Sequence, residues 1–333
     1  MDFIYAIMKN IPISYKEIEK VYRQIKHNLL HTPLQYSHRL SKISGAEVYF
    51  KQEYAQISGS FKLRGILSKL YTLKREDFTK QFVAASTGNH AAAFAHASRK
   101  FGFKGILFLP NNTGKAKLEA IEHYPIEKIF FGNSSMETEK KATEHANEID
   151  GVLIHPYNDV EIIKGQGTIG IEIRQDLPDV DYILAPVGGG GLISGLSIYF
   201  SNDDSVNIIG CQPENASEMY DSVRLNKIVE PSTTPTISDA TAGGIEDDAL
   251  TYHICKKYID GFELSSEEEI MKAIPFIIKY HQTLIEPSSA LPVAALLNSN
   301  GKYKGKKVVL VLTGKKIDIN LLKDILVKYS NYY

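Results

Sequence analysis

Residues 182–200 read YILAPVGGGGLISGLSIYF. An apolar, strand-like run ends at Val187, four glycines follow, and a helical pattern runs from Gly191 to Phe200. A buried strand, a glycine turn and a helix form the repeating unit of a parallel sheet covered by helices. Four consecutive glycines do more than close a turn, for which one or two suffice. They bare successive backbone N–H groups with no Cβ in the way, just ahead of a helix N-terminus. Gly188, Gly189, Gly190 and Gly191, followed by Leu192, therefore read as a cradle for a phosphate. The turn lacks the lysine of a nucleotide-triphosphate loop and the spaced glycines of a dinucleotide site.

Working outward, the same alternation fills the chain. Strands are expected at 48–51, 82–86, 105–109, 128–131, 152–154, 182–187, 206–211 and 308–312. Helices are expected from a Ser14–Glu17 capping box onward, from the lysine segment to about Thr72, and at 89–101, 114–123, 135–148, 161–176, 191–200, 267–281, 288–298 and 318–329. Residues 226–247, rich in Thr, Ser, Pro and Gly, read as a loop crossing the surface. The fold class is α/β, with open twisted sheets, helices on both faces and two domains. Residues 1–74 with 155–333 form the larger and 75–154 the smaller.

Composition removes several function classes. The chain has 333 residues, 43% hydrophobic and 23% charged, with a formal net charge of -1. No global field draws it to nucleic acid or to an anionic membrane. The N-terminal MDFIYAIMKNIP fits neither a signal peptide nor a membrane span. Cys211 and Cys255 have no paired spacing, which favours a reducing, cytoplasmic setting over disulfides or a thiolate zinc site.

Three further strand-end turns join the tetraglycine. SGSFKLRG (58–65) carries Lys62 behind Phe61, STGNH (86–90) opens a helix with hydroxyls and an amide, and LTGKK (312–316) follows the last strand. Ligands in such folds sit at the carboxyl ends of strands, so four such turns suggest one shared site. A helix start bearing Ser86, Thr87, Gly88, Asn89 and His90 suits a carboxylate, and reads equally as a capping box without a ligand. Taken alone, Lys62 reads as a surface lysine in a helical first turn; desolvated beside the other turns, it loses its proton readily and becomes a nucleophile, able to form a Schiff base with a carbonyl compound. A phosphate cradle with such a lysine points to pyridoxal 5'-phosphate.

Together with HTPL (31–34), KQE (51–53), HPYND (155–159), GQGTIGIEI (165–173), TISDATAGG (236–244), EPSSA (286–290) and TGKKID (313–318), these segments resemble the fold-type II pyridoxal-phosphate enzymes of the threonine dehydratase and serine racemase group. The resemblance spans nearly the whole chain. It implies that Lys62 holds the cofactor and shuttles a proton, that Phe61 packs against the pyridine ring and that Asn89 hydrogen-bonds its 3'-oxygen. It also implies that Gly188–Gly191 and the Leu192 amide hold the phosphate, that Ser86–His90 hold the substrate carboxylate and that Thr313 faces the pyridine nitrogen. A neutral hydroxyl there does not keep that nitrogen protonated as a carboxylate would. This favours expulsion of a β-leaving group or racemisation over transamination. The implied activity is elimination of water from L-threonine or L-serine to give a 2-oxo acid and ammonia, with the cofactor phosphate as the acid. A cytoplasmic homodimer acting on a small amino acid is implied too.

Several positions depart from the group's pattern. Thr87 stands where dehydratases carry alanine and racemases a serine, and reads as a second acid/base or as a helix cap. Ala240 replaces a glycine, which would be strained at φ > 0. Ser289 replaces another glycine, with little effect expected. Lys315 and Lys316 replace Gly-Asn, either as solvated cations or as a sign of an acidic substrate such as a 3-hydroxyaspartate. Gln212, the Ala216 carbonyl and Glu218 lie where the group often binds a divalent cation, Mg²⁺ or Ca²⁺, although Gln212 replaces a charged ligand. His27 and His31 lack a third ligand and read as structural. The sequence ends one helix after Thr313, so no regulatory domain is expected. The alternatives to the lyase are a serine racemase with side elimination, a 3-hydroxyaspartate-type ammonia-lyase and a non-catalytic cofactor-binding protein.

Overall fold

The computed structural model describes residues 11–332 except His123 and Thr233. Ten strands are present among them: β1 (Leu34–Tyr36), β2 (Glu47–Lys51), β3 (Gln81–Ala85), β4 (Lys104–Leu109), β5 (Glu127–Phe130), β6 (Val152–Leu153), β7 (Tyr182–Pro186), β8 (Asn207–Pro213), β9 (Gly261–Ser265) and β10 (Lys307–Val311). They form two open sheets, ordered β1-β2-β10-β7-β8-β9 and β5-β4-β3-β6. All pairings are parallel except that of β1 with β2, where Leu34 lies opposite Lys51. The expected strands are all found. β1, β9 and the helices His38–Ser44, Glu218–Leu225 and Leu250–Tyr258 are additional.

The central strands are apolar at nearly every position because both of their faces are covered. In β10, Val308 and Leu310 point into a core shared with Ile274, Phe276 and Leu291, and Val309 and Val311 into one shared with Ile169 and Leu196. The smaller sheet repeats this arrangement. Phe82 and Ala84 pack with Phe94 and Leu107, while Val83 and Ala85 pack with Phe108 and Ala142. Helix boundaries follow local chemistry. Ser14 N–H donates to the Glu17 carboxylate at 2.8 Å, and the Asp159 carboxylate accepts from the Glu161 and Ile162 amides. No helix among the described residues is long and apolar enough to cross a membrane.

The helix Lys62–Thr72 joins the two halves. Leu63, Ile66, Leu67 and Leu70 enter the core of the smaller sheet. Its other side meets the helix Val160–Asp176 so closely that a Cβ on Gly165 would lie 2.4 Å from the Arg64 carbonyl oxygen. Arg64 is fully buried. Its guanidinium donates to both oxygens of Glu53 and both oxygens of Glu172, each at 2.8 Å. Lys51 Nζ, also buried, donates to Glu172 at 2.7 Å and to the Thr32 carbonyl at 2.7 Å. The network ties the end of β2 to both helices.

Burial alone would raise the Glu172 pKa, but Arg64 and Lys51 outweigh it and hold the carboxyl below the usual carboxylate range. Its charge therefore stabilises the fold above the unfolded value of about 4.3, and that contribution is lost as the pH falls towards the depressed folded value. Removing one member strands the others as uncompensated buried charges. Arg64→Met is expected to lower stability by about 3–5 kcal/mol in urea unfolding at pH 7. A loss below about 1 kcal/mol would show that the network is not structural.

Candidate active site

The four strand-end turns line one cavity of about 1080 Å³ between the sheets. Phe61 and Lys62 enter from one side, Ser86–His90 from the smaller sheet, Gly188–Leu192 from β7 and Thr313 with Lys315 and Lys316 from β10. The cavity also takes in residues 236–237 and 239–244. This corrects the surface reading of 226–247. Ser238 and Thr241 are buried, and their hydroxyls lie 2.6 Å apart. Mutual hydrogen bonding lets a polar loop pack inward. Ala240 does not adopt a positive φ, so alanine is unstrained there.

Lys62 is the first residue of its helix, and Nζ donates to the Pro156 carbonyl at 2.8 Å. Nζ lies 5.2 Å from the Phe61 ring centroid. Burial pushes its pKa down to about 8, against the opposing pull of Glu139 and Glu286. A larger share of the amine is therefore neutral near pH 7 than for a solvated lysine.

The glycines of the turn are there for steric reasons. Gly190 has φ +88°, and a Cβ on Gly189 would fall 2.4 Å from the Tyr157 ring. Tyr157 is held in place in turn, its hydroxyl accepting from the Glu246 amide at 3.1 Å. Thr313 Oγ1 lies 3.0 Å from Ser289 Oγ, and Ser289 also donates to the Gly314 carbonyl and accepts from the Gly314 amide, both at 2.8 Å. Ser289, expected to matter little, thus fixes the turn that carries Thr313. One hydroxyl proton cannot serve two contacts, so the hydrogen between Ser289 and Thr313 belongs to Thr313.

In the carboxylate loop the structure revises two readings. Gly88, not Thr87, caps the helix Asn89–Phe101, and no side chain completes that cap. Thr87 instead lines the cavity. His90 is buried, its Nε2 lies 2.8 Å from the Ile154 carbonyl, and burial pushes its pKa down to about 3. A neutral ring donating to the backbone leaves only the His90 amide for an anion. Asn89 Nδ2 donates to Glu286 at 2.8 and 3.0 Å, while Asn89 Oδ1 is buried with no partner. Glu286 and Tyr157, which the sequence offers only as parts of EPSSA and HPYND, also line the cavity. Burial holds the Glu286 carboxyl up at about 7.

The cation expectation does not survive. Gln212 Nε2 points at the Ala216 carbonyl at 3.4 Å, Gln212 Oε1 accepts from the Tyr220 amide at 2.8 Å, and Glu218 accepts from the Ser232 amide at 2.9 Å. Gln212 and Ala216 meet, but an amide donor faces the carbonyl where a cation would need an oxygen. His31 is likewise structural, paired with Asp176 at 2.8 Å.

Residues 25–314 match the family described as pyridoxal-phosphate dependent enzyme. The chain belongs to this family. It is 38% identical to an L-threonine ammonia-lyase of Thermotoga maritima, over 95% of this chain and 79% of that protein. It is 30% identical to a beta-hydroxyaspartate dehydratase of Paracoccus denitrificans, over 93% and 98%. Among solved structures, the serine racemase of Dictyostelium discoideum superposes with a TM-score of 0.84 at 30% identity, covering 92% of this chain and 99% of that one. The processed threonine deaminase isoform 2 of Solanum lycopersicum gives 0.85 at 29% identity, over 94% and 88%.

The family's cofactor suits this cavity. The glycine turn offers backbone donors where any side chain would collide, a desolvated amine stands ready, and the Asn89 Oδ1 atom is unsatisfied without a ligand. Gly189→Ala is expected to weaken cofactor binding at least tenfold, because the added methyl must displace Tyr157. Titration of the bound cofactor's visible absorption checks this, and unchanged affinity would remove the turn from the site.

Proposed function

We propose that this chain is an ammonia-lyase that eliminates water from L-threonine or L-serine, yielding a 2-oxo acid and ammonia. The observation that carries the reading is the shared cavity. A desolvated lysine, an anion-binding helix start and a glycine cradle face one another across it. The names borne by relatives 33–38% identical over most of the chain agree with it.

In this reading the loop Ser86–His90 orients the substrate carboxylate, through the Thr87, Asn89 and His90 amides because those of Ser86 and Gly88 donate to the Phe108 carbonyl and to Ser86 Oγ, and Gly188–Leu192 hold the phosphate. Phe61 packs on the ring, and Asn89, whose Nδ2 is engaged by Glu286, hydrogen-bonds the 3'-oxygen through its unpaired Oδ1 as acceptor. Bound pyridoxal phosphate supplies an electron sink conjugated to the substrate α-carbon. Lys62 Nζ, once free, takes the α-proton, the group in this cavity whose burial suits it to act as a base near neutrality. Thr313, whose hydroxyl hydrogen would turn from Ser289 to the ring nitrogen when the cofactor binds, brings no negative charge there, which favours loss of a β-substituent. The released enamine hydrolyses in water. Residues 75–154 would act as a smaller domain closing on the larger to exclude water, and a cytoplasmic homodimer completes the proposal.

A second reading is racemisation, favoured by the Thr87 hydroxyl, which lines the cavity and caps nothing. An acidic 3-hydroxy amino acid is a third substrate class, favoured by Lys315 and Lys316 at the cavity edge.

The test is 2-oxo acid release from L-threonine, L-serine and 3-hydroxyaspartate with pyridoxal phosphate present. Release from the first two, abolished in Lys62→Ala, is the expected result; release from 3-hydroxyaspartate alone would move the substrate assignment, and none at all would overturn the lyase. Thr87→Ala is expected to leave 2-oxo acid release within about threefold while removing any D-serine formed. Equal loss of both would mean that Thr87 only shapes the loop.

A further inference from the structure

Glu139, His155 and Glu246 bring ligand atoms within 4.8 Å of one another beside the cavity. The trio first resembles a cation site, but two of its members are already committed. His155 Nδ1 accepts from the Tyr157 and Asn158 amides at 3.2 and 2.7 Å, so the ring carries its proton on Nε2. That N–H donates to Glu246 Oε1 at 2.9 Å, and Glu246 Oε2 accepts from Asn158 Nδ2 at 2.9 Å. A metal would have to break each of these bonds.

Glu139 is the remaining member. It stands in the first turns of the helix Ser135–Glu148 and lines the cavity with Lys62. Its carboxyl makes no hydrogen bond or ion pair with another described residue. Burial raises its pKa to about 7, the Glu246 charge adding to this while His155 and Lys62 pull the other way. A carboxyl that keeps its proton near neutrality, lines the cavity and has no partner among the described residues is equipped to donate to a ligand.

We propose that Glu139 is a catalytic residue that protonates the departing β-hydroxyl. This rests on the lyase reading above and deepens it. In the balanced step Lys62 Nζ takes the α-proton, and the electron pair of that C–H bond becomes the second Cα–Cβ bond. The Cβ–O bond breaks, and the oxygen leaves as water carrying the Glu139 proton. The Lys62 ammonium and the Glu139 carboxylate then exchange the surplus proton through the cavity, restoring both groups. The hydrogen-bonded His155–Glu246 pair, anchored on the backbone, keeps the wall beside Glu139 fixed.

A leaving group that needs no proton separates this role from a structural one. The experiment compares wild-type holoenzyme with Glu139→Gln on L-serine and on β-chloro-L-alanine, whose chloride departs unprotonated. The expected result is a fall in kcat for L-serine of at least about 100-fold, with chloride elimination kept within about threefold. Equal losses on both substrates would make Glu139 a structural residue and overturn the proposal. No loss on either would hand the proton to another group, the cofactor phosphate foremost, and overturn it too. Failure of the underlying reading shows separately, as wild-type protein that eliminates from neither substrate.

Discussion

The Lys62 amine is held in place because a guanidinium two residues further along the same helix is locked between two buried glutamates. Arg64 cannot move without leaving Glu53 without its cation and Glu172 with Lys51 alone in a dry interior, a penalty of about 3–5 kcal/mol. The first turn of that helix is therefore as fixed as the end of β2 and the helix Val160–Asp176, which supply the partners. Planar, bidentate pairing explains why arginine, and not lysine, fills this place. A cheaper hydrophobic contact would bury as much area, but it would not fix the orientation of the turn.

That rigidity sets the chemistry of the cavity. The amine is held where solvation is poor, so it gives up its proton near neutrality. The same scarcity of water raises Glu139 and Glu286 to about 7, so two carboxyls in one cavity can keep their protons. His90 is pushed the other way and stays neutral, presenting its backbone to an anion in place of a charge. One physical cause, exclusion of water between two sheets, thus lowers the proton affinity of the amine and the imidazole and raises that of both carboxyls.

The sequence made the frame legible where residue type and position admit one explanation. Continuous apolar strands buried on both faces were found within a residue or two, and the glycine turn and Lys62 line one cavity. Elements without that signature were missed. β1 has only three residues, and β9 is a sheet edge whose positions are only partly buried until Ser265. The inward packing of 236–244 was hidden because its hydroxyls satisfy one another, so composition alone reads as a solvated loop. Thr87 and Ser289 could not be placed from residue type, since a hydroxyl caps, clamps or faces a ligand according to backbone geometry. Glu139 lay in the polar run SSMETEKK, and only the fold turns it towards the cavity.

The central claim is that Lys62, held by the arginine network, is the amine that engages the cofactor. Borohydride reduction of the protein with pyridoxal phosphate, followed by peptide mass mapping, tests it most directly. The account predicts one pyridoxyl group per chain, on Lys62, and none on Lys62→Ala. A label on Lys117, Lys315 or Lys316, or no label at saturating cofactor, would contradict it.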